Sequence, residues 1–360
     1  MFGSMQGFVY DQPGSRVIFG AGAFDQIAEE VRRLGATRAL VLSTPEQRGS
    51  ADEAARRLGG LSAGIFAEAV MHVPIETARA AREMARGVNA DCCVAIGGGS
   101  TIGLGKAIAL ESALPIVALP TTFAGSEMTP IYGLTEAGMK KTGRDRRVLP
   151  KTVIYDPELT LTLPPRIAGP SGMNAIAHCV EGLYAPDGNP IISLFCAEGI
   201  RALARALPVI VREPENLAAR SDALYGAWLA GTVLGAVSIG IHHKLCHTLG
   251  GSFNLPHADV HTVILPHAVA FNSEAAPDAM RIVAEALGVK ALGVKSAAQG
   301  LYDLAVAIGA PVALKDIGMP ADGLERAAEL ATQNPYANPR AVEYAGVLEL
   351  LRNAYSGRRP

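Results

Sequence analysis

Two histidine-bearing segments near the middle of the chain come close to assembling a metal centre. The first reads Gly172-Met173-Asn174-Ala175-Ile176-Ala177-His178. The second reads His242-His243-Lys244-Leu245-Cys246-His247 and runs on to Pro256-His257. Residues four apart share a helix face, so helical segments stack Asn174 over His178 and His243 over His247. Three imidazoles and a carboxylate would make a site for Zn²⁺ or Fe²⁺. Position 174 instead supplies a neutral amide, a poor ligand, and the question becomes what a histidine pocket does without a metal. A single histidine on an apolar face is ordinarily a core residue with a satisfied ring. Here five of the eight histidines fall between positions 242 and 261. Burying that many imidazoles is costly without partners, so the density favours a functional pocket.

A second group carries different chemistry. Gly97-Gly98-Gly99-Ser100 follows the apolar run Cys92–Ile96 and precedes a helical stretch through Lys106. Glycines between strand and helix let backbone N–H groups approach a phosphate at the helix N-terminus. The spacing is neither the Gly-x-Gly-x-x-Gly fingerprint nor a Walker loop, and alone it could be only a tight turn. Thr121 and Thr122 sit at the end of the next apolar run, Pro115–Leu119. In a parallel sheet both groups lie at the carboxyl edge, where open α/β sheets bind ligands. Together they predict a nucleotide site.

The elements that must hold these groups alternate in the first half. Arg38–Ser43, Cys92–Ile96 and Pro115–Leu119 read as buried strands, with helices over Ala51–Leu58, Glu76–Gly87 and the segment after the glycine loop. That order predicts a parallel, Rossmann-like sheet covered on both faces. After Leu163-Pro164-Pro165 the texture becomes Ala-rich and helical, and adjacent prolines suit a domain junction. The expected organisation is an α/β dinucleotide-binding domain over residues 1–163 and an all-α domain over residues 164–360. The active site is expected in the cleft between them.

Composition narrows the class. Hydrophobic residues make up 49% and charged residues 18% of 360, ample for a large buried core. A formal charge of −2 gives no global argument for nucleic acid as a partner. Five cysteines without Cys-x-x-Cys spacing fit a reducing cytoplasm and thiols packed as small apolar groups. Ala223–Ile241 has no charge and nearly the length of a membrane span. Its recurring glycines and the histidines that follow point instead to a buried, closely packed central helix. No secretory signal pattern opens the chain, and no membrane association is expected.

The motifs now spell a family. Along essentially its whole length the chain resembles the group III, iron-containing alcohol dehydrogenases. The run Pro120-Thr-Thr-Phe-Ala-Gly-Ser-Glu-Met-Thr-Pro130, with Gly172-Met-Asn174 and His243-Lys-Leu-Cys-His247, looks specifically like the maleylacetate reductase branch. The resemblance implies that the glycine loop and Pro120-Thr121-Thr122 hold the pyrophosphate of a nicotinamide cofactor. It implies that the family's metal position corresponds to Asn174, His178, His243 and His257, and that His247 lies near the nicotinamide. That branch reduces a carbon–carbon double bond without requiring a metal, which fits the amide at 174. Many relatives carry an Asp after the second strand that repels the 2′-phosphate of NADPH; Thr44 stands at about that place. NADH or NADPH is therefore the expected cofactor. The expected partner is a small dicarboxylate from aromatic-compound catabolism, and the expected assembly a homodimer.

Reducing an enone requires a donor for the developing oxyanion and a proton for the adjacent carbon. His178, His243 and His257 are the oxyanion candidates and His247 the proton donor, with Tyr132 or Lys244 next. Lys244 projects about 100° around its helix from His243. Arg144, Arg146 and Arg147 read as a solvated loop. Three other readings compete: a metal-dependent alcohol dehydrogenase of the same family, a dehydroquinate synthase-like lyase, and a non-catalytic nucleotide-binding protein.

Overall fold

The computed structural model describes residues 7–8, 10–11, 14–136, 139–289, 296–334 and 336–360. Six strands form one parallel sheet: β1 (Arg16–Phe19), β2 (Ala39–Leu42), β3 (Ser62–Phe66), β4 (Cys92–Gly97), β5 (Ile116–Pro120) and, after a hairpin, β8 (Thr152–Tyr155). Their order is β1-β8-β5-β4-β2-β3. The hairpin pairs β6 (Ile131–Glu136) with β7 (Met139–Arg144) antiparallel.

Every residue of β2, β4, β5 and β8 is buried, as a sheet covered on both faces requires. Alternate side chains serve opposite faces. Leu40, Leu42, Cys93 and Ala95 meet α3 (Ile75–Gly87) and α4 (Gly99–Ser112). Val41, Val94 and Ile96 meet α1 (Ile27–Arg33) and α2 (Arg48–Leu58).

Past β8 the chain is helical. Helices α5 (Pro165–Leu183), α6 (Pro190–Arg212) and α7 (Leu217–Ala236) pack together and extend the core of the α3–α4 face. Helices α8 (Ile241–Phe253) and α9 (His257–Asn272) follow, then α10 (Pro277–Ala286), α11 (Ser296–Ala307), α12 (Leu324–Thr332) and α13 (Tyr344–Ser356). Residues of α8, α9, α12 and α13 build a separate apolar cluster.

The uncharged segment Ala223–Ile241 is not one helix. It breaks at residues 237–240, and α7 and α8 meet at 96°. Gly240 adopts φ −112°, ψ −143°, outside the helical region, and so starts a new helix. The close packing expected of its glycines is present. A Cβ on Gly231 would lie 2.1 Å from the Gly125 carbonyl oxygen, and one on Gly235 would lie 2.9 Å from that of Met128. Backbone thus meets backbone where α7 docks on the loop after β5, joining the two halves. Among the described residues no single helix is long and apolar enough to cross a membrane. All five cysteines are buried and free.

Candidate active site

One cavity of about 1250 Å³ runs from the carboxyl edge of the sheet to the histidine-bearing helices. Small-molecule sites usually span about 300–1,000 Å³, so there is room for a dinucleotide and a small substrate together. At one end, Gly98 is the N-cap of α4 with no side-chain cap, and the first turn carries no acidic residue. The helix dipole and the first-turn amides therefore remain free for an anion. Gly99, Ser100 and Thr122 line the wall. Gly97, Gly98, Thr44 and Thr121, also expected at the cofactor, are not among the residues that line it. Gly97 has φ +154°, and a Cβ there would lie 2.4 Å from the Thr101 hydroxyl oxygen. Thr121 is buried and accepts a hydrogen bond from Gln47 Nε2 at 2.9 Å, tying the loop after β2 to that after β5. Thr44 is the residue before the 3₁₀ turn Pro45–Gln47 and makes no side-chain capping bond to it. This end can hold a phosphate or pyrophosphate group.

The other end is built on three helices. Asn174 and His178 lie one turn apart on α5, His243 and His247 on α8, and His257 opens α9; all five line the cavity. The His178 and His243 rings stack with centroids 5.0 Å apart, and those of His247 and His257 stack at 6.5 Å. Asn174, His178 and His243 are buried, His257 is half-buried, and His247 is exposed. Asn174 Oδ1, His178 Nδ1 and His243 Nε2 have no hydrogen-bond partner within the protein. Burial first, then the neighbouring imidazoles, hold His178 well below the ordinary histidine range, so its ring is neutral.

Sequence reasoning missed Glu181. It lies one turn beyond His178 on α5 and is 1% exposed. Its Oε2 accepts from His243 Nδ1 at 2.6 Å and from the Gly240 N–H at 3.0 Å; its Oε1 accepts from the His242 N–H at 2.8 Å. A carboxylate from α5 thus caps α8, whose own N-cap is a glycine without a side chain. The same carboxylate fixes a proton on His243 Nδ1 and leaves Nε2 to act. The missed signal was the 174/178/181 spacing, which puts all three residues on one helix stripe. His242 and His261 were missed as well. They share a 2.9 Å hydrogen bond between His242 Nε2 and His261 Nδ1, and burial holds both well below the ordinary range.

Of the three arginines expected in a solvated loop, one lies on the cavity wall instead. Arg146 pairs with Asp11 and Arg147 with Asp145 at the surface, as expected. Arg144 does not join them. It lines the cavity and donates to the carbonyls of Leu234, Gly235 and Val237 at 3.2, 2.9 and 3.2 Å, capping the end of α7. Lys106, also on the wall, is buried, and its Nζ donates to Ser126 O, Thr129 O, Thr129 Oγ1 and Ile131 O within 2.7–2.9 Å. Burial pushes it down to about 7, and the Glu127 charge opposes that fall. Lys244 lies over the Tyr336 ring and is absent from the wall; Tyr132 lines it.

The sequence matches the iron-containing alcohol dehydrogenase family over residues 14–157, and the C-terminal region of that family over residues 169–355. The chain belongs to the iron-containing alcohol dehydrogenase family. It is 60% identical over 356 residues to the maleylacetate reductase of Burkholderia cepacia, covering 99% of this chain and 100% of that one. It is 56% identical to the maleylacetate reductase of Sphingobium indicum, covering 98% and 99% respectively. The crystal structure of maleylacetate reductase from Agrobacterium tumefaciens superposes with a TM-score of 0.94 at 53% identity, covering 99% of this chain and 100% of that one.

The family name implies a metal, so the fit of its position must be tested on these residues. Asn174, His178, His243 and His257 carry no anionic ligand, and the Glu181 carboxylate is taken up by His243 and two backbone amides. Among the described residues, the His, Cys, Asp or Glu set whose ligand atoms all lie within 4.8 Å of one another is His242, Cys246 and His261, not the three imidazoles of the family position. Position 174 thus offers that set a neutral amide in place of an anionic ligand, and its three imidazoles do not converge within the distance that a shared ion requires.

Proposed function

We propose that this chain reduces the carbon–carbon double bond of maleylacetate to 3-oxoadipate with NADH or NADPH, and that turnover needs no metal. The observation that carries the reading is 52–60% identity over nearly the whole chain to proteins named maleylacetate reductase. The site chemistry agrees with it. When bound, the nicotinamide supplies a hydride to the alkene carbon β to the ketone, and one proton from the protein completes the reduction at the adjacent carbon.

The protein's part is to hold the enone, carry the charge that gathers on the ketone oxygen, and deliver that proton. His243 suits the oxyanion role as an imidazolium: Nδ1–H stays on Glu181, whose carboxylate balances the added charge, and the second proton, on Nε2, is donated to the oxygen. His178 Nδ1 and Asn174 lie beside it as further donors. Asn174 can donate through its amide NH₂, which an aspartate could not do. His247, exposed to the cavity, is the proton donor to carbon. Arg144 and Arg166, both on the cavity wall, supply cationic groups for the two substrate carboxylates.

The test is NADH oxidation with maleylacetate beside simple aldehydes, with and without prior chelation. Equal turnover of maleylacetate before and after chelation, with little on aldehydes, is the expected result. Loss on chelation restored by Fe²⁺ or Zn²⁺, with aldehyde turnover, would instead identify a metal-dependent alcohol dehydrogenase.

A further inference from the structure

We propose that His242, Cys246 and His261 form a second, inhibitory binding site for a borderline-soft divalent ion such as Zn²⁺, behind the catalytic histidines. Cys246 is used by no step of the reaction and packs in an apolar cluster where thiols are usually inert, yet two imidazoles also stand beside its sulfur. Cys246 stands one turn after His242 on α8, and His261 one turn after His257 on α9. All three are at most 1% exposed.

The geometry is close to what the ion needs. With Zn–N of about 2.05 Å and Zn–S of about 2.3 Å, a tetrahedral site separates N from S by ~3.6 Å and N from N by ~3.4 Å. Cys246 Sγ lies 3.6 Å from His242 Nε2. His242 Nε2 lies 2.9 Å from His261 Nδ1, so replacing that hydrogen bond by a shared ion asks the rings to part by about 0.5 Å. The two remaining ring nitrogens, His242 Nδ1 and His261 Nε2, have no protein partner. They can carry the ring protons when the inner nitrogens ligate.

Charge favours the same site. An ion of charge +2, the Cys246 thiolate and the Glu181 carboxylate sum to zero, and Glu181 is near enough for its charge to raise the Cys246 thiol. Burial is the larger cause of that rise, so the metal-free site holds a neutral S–H. Ligation expels that proton to solvent, and binding must tighten as pH rises. His261 lines the cavity, which gives the ion a way in and a water as fourth ligand. Occupancy pins α8 and α9 from behind, next to His243 and His257, and should stop turnover.

The experiment is a Co²⁺ titration of chelator-stripped full-length protein without substrate, read by thiolate-to-cobalt charge-transfer absorption. One equivalent should develop the band, Zn²⁺ should abolish it, and Asn174→Ala should keep it. Cys246→Ala should lose it, and Cys246→Ser, closer to the native shape, provides the same reading where the alanine variant folds poorly. In turnover assays Zn²⁺ should inhibit the native enzyme at least tenfold and leave Cys246→Ala unaffected. Absence of the band, or its persistence in both Cys246 variants, overturns the proposal. Because binding is read without substrate, the result is independent of whether maleylacetate is reduced.

Discussion

Glu181→Gln tests whether the buried carboxylate organises the chemistry or merely caps a helix. The glutamine is isosteric but can accept through one oxygen only. If that oxygen takes the place of Oε2, it keeps the bonds from Gly240 and His243, and the His242 N–H at 2.8 Å faces an NH₂ group. One buried donor left unsatisfied costs about 1–3 kcal/mol of stability. The retained bond to His243 changes from charge-assisted to neutral, a loss of roughly 1.5 kcal/mol, or about tenfold in rate if it is felt only in the transition state. In the opposite amide orientation the NH₂ faces Nδ1 and the ring takes the Nε2–H tautomer, which keeps the donor but loses the carboxylate-balanced imidazolium charge, and the fall should approach 10²-fold. The expected outcome is kcat down 10- to 100-fold, with the KM for maleylacetate within about threefold. The low-field imidazole N–H resonance of His243 should also be lost or displaced. A purely structural cap would lower thermal stability but leave kcat and that resonance in place. A folded variant with native kcat and an unchanged low-field spectrum would refute the reasoning.

Gly99→Val should raise the KM for NADH tenfold or more with the fold intact, because a Cβ there meets only Ser126 Oγ at 3.8 Å and points into free space. Gly98 is the poorer probe, since its Cβ would lie 2.8 Å from Thr122 Cγ2 and rebuild the loop itself; an unchanged KM in Gly99→Val would make the loop only a turn. Steady-state kinetics should separate the histidines. His243→Ala and His247→Ala should lower kcat and kcat/KM together by about 10²-fold, while His178→Ala and His257→Ala should mainly raise KM; near-normal kcat in the His243/His247 double variant would remove them as donors. Stability should fall with acid in a defined window. His178, His242 and His261 are held well below 6.5 and His267 at about 4 by burial, so below pH 6.5 the unfolded chain binds protons that the native state refuses. Each such group can remove about 1.4 kcal/mol per pH unit until its native pKa is reached. Urea midpoints that stay flat from pH 7 to 5 would contradict neutral buried rings.

The sheet was legible where its strands are continuously apolar. Arg38–Ser43, Cys92–Ile96 and Pro115–Leu119 became β2, β4 and β5 within a residue or two, because a strand buried on both faces must be apolar throughout. β1 and β8 escaped notice because each is only four residues long and carries Arg or Thr at its first position. β3, Ser62–Phe66, has glycine and alanine at its centre and lies at the sheet edge, half-buried. The break between α7 and α8 was hidden because no proline or charge marks it. It depends on a carboxylate reaching Gly240 from 59 residues away in the chain, an interaction without a local signature.

The same distinction explains what was legible of the site. Spacing along one helix revealed Asn174 with His178 and His243 with His247, because i,i+4 neighbours share a face whatever the fold. Spacing cannot say which face of α5 meets which face of α8, and that relation decides the chemistry. Once α5 and α8 cross, one carboxylate selects His243 from among eight histidines by fixing its Nδ1 proton, while burial keeps His178, His242 and His261 neutral. Four similar imidazoles thereby acquire unlike roles through position alone. An aspartate at 174 would add a second buried anion one turn from the neutral His178, on the same helix as Glu181. Beside a His178 ring that burial keeps neutral, an amide at that position is the lower-energy neighbour. It is also the one able to donate a hydrogen bond to a substrate oxygen.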